Sequence, residues 1–316
     1  MPLPPLSDPP GWGTRLAGQI RGGIVIFILF STLFVFNGMQ ILSLLLRPFS
    51  LRAFRAINRW GANTWWGFTV AIAEAGYGTH IELSGDPLPP REHAILLANH
   101  QQMADITFLF FLGRAKQRLG DMKWFVKDIV KWVPGVGWGL LFLDSFFVKR
   151  DWAADRASID RTFSNIIRGK VPVWLLLFPE GTRITPAKLE RGQAFARERG
   201  LPPLQHLLMP RTKGFAASVL GLRQHLHAVY DVTIAYPGAV PTLLQYIRGY
   251  GRVAHLHVRR FAVETLPEVE ADLSEWLHQR WQQKDRQLEQ FYAHGVFLDE
   301  TEETAGGAEP QAAAAG

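Results

Sequence analysis

The chain has 316 residues, a formal net charge of +6, 47% hydrophobic and 12% aromatic residues, and no cysteine, which excludes disulfides, thiolate metal sites and acyl-cysteine catalysis together. Asp299, Glu300, Glu302, Glu303 and Glu309 lie in a C-terminal stretch without Lys or Arg, so the rest of the chain carries about +11. A basic body suits nucleic acid, an anionic membrane or phosphorylated substrates; the 11 Trp and 21 Phe favour the membrane, and no basic-and-aromatic nucleic-acid motif is present.

Residues 22–46, GGIVIFILFSTLFVFNGMQILSLLL, are uncharged and long enough as a helix to cross a hydrocarbon core, which needs roughly 20 residues. No small-residue cleavage pattern follows, so an uncleaved anchor is expected rather than a signal peptide. Arg47, Arg52, Arg55 and Arg59 outweigh Arg15 and Arg21, which places the following domain in the cytoplasm. Asn37 and Gln40 within the apolar run need partners, and a re-entrant hairpin with residues 65–76, WWGFTVAIAEAG, is the alternative to a span.

From His80 onward, strand-like runs recur at residues 94–99, 123–127, 145–150, 173–178, 230–236 and 254–261, with helix-like stretches such as WAADRASIDRTFSNIIRGK between them. This pattern predicts an α/β fold, a layered mixed sheet flanked by helices, behind an N-terminal membrane-anchoring helical segment. Residues 270–292 place Leu273, Trp276, Leu277, Trp281, Leu288 and Phe291 on one helical stripe, expected to pack on the core. The expected organisation is a membrane-associated helical region (1–79), an α/β domain (80–298) and a disordered acidic tail (299–316).

NHQQMAD, residues 99–105, follows the apolar run AILLA, where a strand hands over to an exposed loop. Asn99 and His100 alone read equally as a helix cap beside a surface histidine. Asp105 changes that reading: with a helix starting just after His100, its carboxylate can turn back, accept from one imidazole nitrogen and leave the other as a base. No GxSxG serine accompanies them, so a substrate is expected to supply the attacking group. Transfer to a substrate alcohol and hydrolysis by activated water both use such a dyad. A metal is not expected, because only two candidate ligands are present and no HExxH motif or histidine cluster joins them.

In VWLLLFPEGTRITP a strand ends at Phe178, and Glu180 and Arg183 are expected to be exposed on the ligand side of the sheet. Arg183 offers a planar fork suited to phosphate, whereas Glu180 would repel phosphate unless it bonds a hydroxyl, Arg183 or the backbone. Lys149 and Arg150 close another strand, and Arg211 and Lys213 follow in MPRTKGF; solvated strand ends and a structural loop explain these equally well. His255 and His257 share a face of a candidate strand and read as structural.

Four ordered blocks, NHQQMAD, the FVKR of GLLFLDSFFVKR, FPEGTR, and MPRTKGF with VTIAYPG, resemble the motifs of the glycerolipid acyltransferases, the 1-acylglycerol-3-phosphate and lysophospholipid acyltransferase family. HVRRFAVETLP and WLHQRWQQKDRQLEQFY look like the lysocardiolipin acyltransferase branch. The resemblance implies that His100 is a general base on the free hydroxyl of a lysophospholipid and that Asp105 orients it. Arg150, Glu180, Gly181 and Arg183, joined by Asn99, Lys149, Thr182 and Arg211, would form the acceptor site. Acyl-CoA or acyl carrier protein is implied as co-substrate, with no bound cofactor, and 1-acylglycerol-3-phosphate as the first choice of acceptor. A lysophospholipid with another head group is the alternative, as is a thioesterase or phospholipase built on the same dyad. The expected setting is a bacterial inner membrane, with the catalytic domain on the cytoplasmic side.

Overall fold

The computed structural model describes residues 3–149 and 152–297, with the side chains of 152–154 excepted. Arg150 and the acidic tail therefore lie outside the described residues. Helix α1 (Trp12–Ser43) runs into a short 3-10 turn, and α2 (Leu51–Tyr77) returns beside it. Ser50 caps α2 by accepting from the Ala53 N–H, and Gly78 in the left-handed region (φ 67°) ends it.

The α/β part then runs β1 (His80–Gly85), β2 (Ala94–Ala98), α3 (Ala104–Ala115), β3 (Met122–Lys127), α4 (Val136–Phe142), β4 (Phe146–Val148) and α5 (Trp152–Arg168). It continues through β5 (Trp174–Leu177), α6 (Pro186–Glu198), α7 (Thr212–Leu222), β6 (Ala228–Ala235), α8 (Leu243–Ile247), β7 (Val253–Ala262) and α9 (Glu270–His294). The strands form one seven-stranded sheet in the order β1-β7-β6-β2-β5-β3-β4. Neighbours are parallel except β6 and β7, so the sheet is mixed, as expected.

The unbroken apolar sequence of the inner strands has a plain cause. Leu96, Trp174, Leu176, Tyr230 and Val232 point to the face covered by α2 and α3. Ile95, Leu97, Leu175, Leu177 and Val229 point to the face covered by α5, α7 and α9. Both faces are core, so period-two alternation of polarity disappears. Each large aliphatic residue fully buried there stabilises the fold by about 1.5–3 kcal/mol.

α1 is long and apolar enough to cross a membrane, and Phe27, Val35 and Leu42 stand exposed along it. Several polar groups within it find partners, while the buried Asn37 Oδ1 has none among the described residues: Asn37 Nδ2 donates to Gln40 Oε1 (3.1 Å), Gln40 Nε2 to the Gly139 carbonyl (3.4 Å), and Trp65 Nε1 of α2 to Thr32 Oγ1 (3.1 Å). Both ends of α1 touch the α/β part, through the Tyr250 hydroxyl on the Thr14 carbonyl (3.0 Å) at one end and through α4 at the other. An apolar cavity of about 70 Å³ lies between α1, α2 and α4 and is lined by Phe36, Met39, Trp65, Trp66 and Leu140 among others.

Candidate active site

The strands β2, β5 and β6 run parallel, so their C-terminal ends emerge on one edge of the sheet, where side chains from three separate segments can meet. β2 stops at Ala98 while β6 continues to Ala235. Asn99 bridges the difference: its Nδ2 donates to the Ile234 carbonyl (2.9 Å) and its Oδ1 accepts from the Ile234 N–H (2.7 Å). The side chain thus imitates one more rung of the ladder. It is fully buried and caps no helix, since α3 begins after Met103, which supplies no side-chain cap.

His100 follows on this anchored backbone. Its Nδ1 lies 2.9 Å from Asp105 Oδ2, and the carboxylate is wholly buried in the first turn of α3. The same Oδ2 accepts from the N–H groups of Gln101 (2.7 Å) and Gln102 (2.9 Å), and Oδ1 accepts from the Tyr236 hydroxyl (2.6 Å). Burial pushes the Tyr236 phenol well up, with the Asp105 charge adding to it, so the hydroxyl stays a donor. An Asp105 carboxylate is acceptor-only, which puts the imidazole proton on Nδ1 and leaves the Nε2 lone pair available. Nε2 takes no hydrogen bond from any described residue, and the ring stacks on Phe178 at 4.1 Å between centroids.

The turn after β5 supplies the second half. Glu180 was expected to be exposed and is instead buried, because its carboxylate serves the backbone. Oε1 accepts from the His100 N–H (2.8 Å) and Oε2 from the Leu208 N–H (3.2 Å). Burial pushes its carboxyl up to about 8, with Asp105 adding to this, against the two N–H donors and the Lys284 charge, which lower it. Backbone bonding is one of the arrangements under which a carboxylate is tolerated near an anion site. The His100 carbonyl accepts from the Ile184 N–H (3.0 Å), so the turn holds both backbone groups of the same residue.

Gly181 has φ +69°, and a Cβ there would approach Arg211 Nε to 3.1 Å; both facts call for glycine. The turn and the Arg211 segment are joined by the Arg211 N–H on the Pro179 carbonyl (2.8 Å). Arg183 reaches back to NHQQMAD, where its guanidinium donates to Gln102 Oε1 (2.7 Å). Lys188, on α6, donates to Thr182 Oγ1 (2.8 Å) and to the Arg183 carbonyl (2.9 Å). Three cations from three segments thus meet at one small turn.

His100, Asp105, Glu180, Gly181, Thr182, Arg183 and Arg211 are therefore brought together. Lys149 is not. It ends β4 at the far side of the sheet, three strands from β2 and thus about 14 Å away laterally, with its N–H held by Asp155 Oδ1 (2.9 Å). Sequence reasoning missed Tyr236, Gln101, Gln102, Phe178 and Lys188, although all but Lys188 lie inside segments quoted for their resemblance. Among the described residues no group of three or more His, Asp or Glu is placed to hold a metal ion; His257 meets Ser84 Oγ at 3.1 Å and the His255 ring lies tilted against Phe291.

The pattern described as "Acyltransferase" matches residues 80–237, half the chain, and "Acyltransferase C-terminus" matches residues 245–313. The chain belongs to the glycerolipid acyltransferase family. It is 34% identical to the probable 1-acyl-sn-glycerol-3-phosphate acyltransferase 5 of Arabidopsis thaliana over 89% of this chain and 76% of that protein. It is 35% identical to lysocardiolipin acyltransferase 1 of Danio rerio over 72% and 60%. Such similar identities give the lysocardiolipin branch no preference over the other. The crystal structure of the 1-acyl-sn-glycerophosphate (LPA) acyltransferase PlsC from Thermotoga maritima superposes with a TM-score of 0.54, 16% identity and coverage of 87% of this chain and 98% of that one, a likeness of fold.

Proposed function

We propose that this glycerolipid acyltransferase moves a fatty acyl group from acyl-CoA or acyl carrier protein to the free hydroxyl of 1-acylglycerol-3-phosphate, giving phosphatidic acid. The observation that carries this reading is the His100–Asp105 pair, 2.9 Å apart, beside the turn at which Arg183, Lys188 and Arg211 meet. The acceptor hydroxyl attacks the thioester carbonyl carbon while His100 Nε2 takes its proton. The C–S bond then breaks, the new ester C–O bond remains, and the imidazolium returns the proton to the leaving thiolate. Asp105 fixes the tautomer and stabilises the transient imidazolium, and Tyr236 with two backbone N–H groups holds Asp105 in place.

Arg183 and Arg211 bind the acceptor phosphate in this reading, and the relatives named for 1-acyl-sn-glycerol-3-phosphate favour that head group over other lysophospholipids. Asn99 and Glu180 act from behind, by placing the His100 backbone, rather than by touching substrate. Thr182 and Gly181 shape the turn. With no cysteine and no GxSxG serine in the sequence, the acceptor hydroxyl is the nucleophile in this reading. The setting is the cytoplasmic face of a membrane, a bacterial inner membrane on the single-anchor layout, because thioester donors are supplied from that side.

Product analysis tests this. Purified protein in detergent, given an acyl thioester and a panel of lysophospholipids, is expected to yield a new diacyl lipid, fastest with the glycerol-3-phosphate head group. Free fatty acid released at the same rate with and without acceptor would make the protein a hydrolase.

A further inference from the structure

α9 covers one face of the core with Leu273, Leu277, Trp281, Leu288 and Phe291, but a second row on the same helix is polar, with Asp285 buried, Tyr292 half-buried and Glu289 exposed. Asp285 Oδ2 accepts from the Gln205 N–H (2.8 Å) and Oδ1 from the His206 N–H (2.7 Å). One turn further, Glu289 Oε2 meets His206 Nε2 at 2.5 Å. Another turn on, the Tyr292 hydroxyl accepts from Gln101 Nε2 (3.2 Å), which also donates to the Ile234 carbonyl (2.7 Å). Residues 285, 289 and 292 are spaced by four and three, so they form one face of the helix.

Packing alone does not require this row. A buried carboxylate is costly, and burial pushes the Asp285 carboxyl up against the two N–H donors that lower it. What the row does is hold residues 205–206, two positions before Leu208, whose N–H donates to Glu180 Oε2 (3.2 Å). The other oxygen of Glu180 accepts from the His100 N–H (2.8 Å). A continuous path of hydrogen bonds and short chain therefore leads from α9 to the peptide that carries His100. A second, shorter path runs from Tyr292 through Gln101, its sequence neighbour.

We infer that α9 is a positioning element for acyl transfer, and that Asp285 is a positioning residue acting on His100 through the 205–208 segment and Glu180. The inference rests on the reading of His100 as the base. Neither Asp285 nor Tyr292 touches substrate, so their removal misplaces the imidazole without weakening substrate binding.

The test is a double-mutant cycle on the full chain in detergent, with kcat and KM measured for donor and acceptor in Asp285→Asn, Glu180→Gln and the combined variant. Asp285→Asn is expected to lower kcat about tenfold at unchanged KM, and the combined variant to be no slower than Glu180→Gln alone, as for residues acting along one path. Losses that multiply would overturn the inference and leave the role of His100 standing. Full activity in His100→Ala would instead remove the reading beneath it, and the inference with it. Should Asp285→Asn not accumulate as folded protein, Tyr292→Phe deletes a single oxygen and keeps the ring; about a threefold fall in kcat at constant KM is expected, and a wild-type kcat contradicts the inference.

Discussion

At the residue scale, Glu180 shows how a motif residue is fixed by backbone rather than by ligand. Its carboxyl is raised by burial from 4.5 to about 8, so between those values the folded state holds a proton that the unfolded state has lost. Its contribution to stability is therefore present below 4.5 and lost as pH rises through about 8. The melting temperature of Glu180→Gln should fall less than that of the wild type between about pH 5 and about pH 9; equal falls would contradict the burial argument. The pairing of His100 with Asp105 was legible because five positions suffice for a carboxylate at a helix start to turn back on the preceding loop. The environment of Glu180 was not legible. Its two donors come from residues 80 and 28 positions away, and no local pattern announces them. The partner of Asn99 was hidden for the same reason, since Ile234 lies 135 positions on.

At the element scale, the inner strands were legible from apolar runs alone, and the stripe on α9 packs on the core as its spacing implied. β1 was not singled out as a strand. It is a largely exposed edge strand, HIELSG, whose pairing with β7 is set some 170 residues away, so neither burial nor periodicity marks it. The connection between β3 and β4 carries a further constraint that composition hides. A Cβ on Gly137 would sit 1.9 Å from the Val130 carbonyl oxygen, with more backbone close behind, and backbone cannot rotate away as a side chain can. Gly137→Ala should therefore cost about 2–4 kcal/mol and lower the melting temperature in detergent; an unchanged transition would show that the turn before α4 relaxes freely. Because α4 packs on α1, this turn also helps seat the apolar helix against the α/β part.

For the whole molecule, the α/β class was legible from strands interleaved with helices, but the strand order was not, because every pairing is non-local and the one antiparallel neighbour pair, β6 with β7, leaves no mark in either strand's sequence. That order decides the chemistry. It sets β2 between β5 and β6, so that the segments bearing His100, Glu180 and Tyr236 leave the sheet side by side, while the basic end of β4 falls on the outer edge. The apolar α1 rests on the same body at both ends, so the one described helix long and apolar enough to cross a membrane is fixed to the α/β part that carries the site. The central claim is that His100 takes the acceptor's proton, and the most direct measurement is the rate of diacyl lipid formation by His100→Ala beside wild type, in protein of matched membrane recovery and melting temperature. Loss of at least about a hundredfold in kcat is expected, whereas a His100→Ala enzyme as active as wild type would show that His100 is not the base.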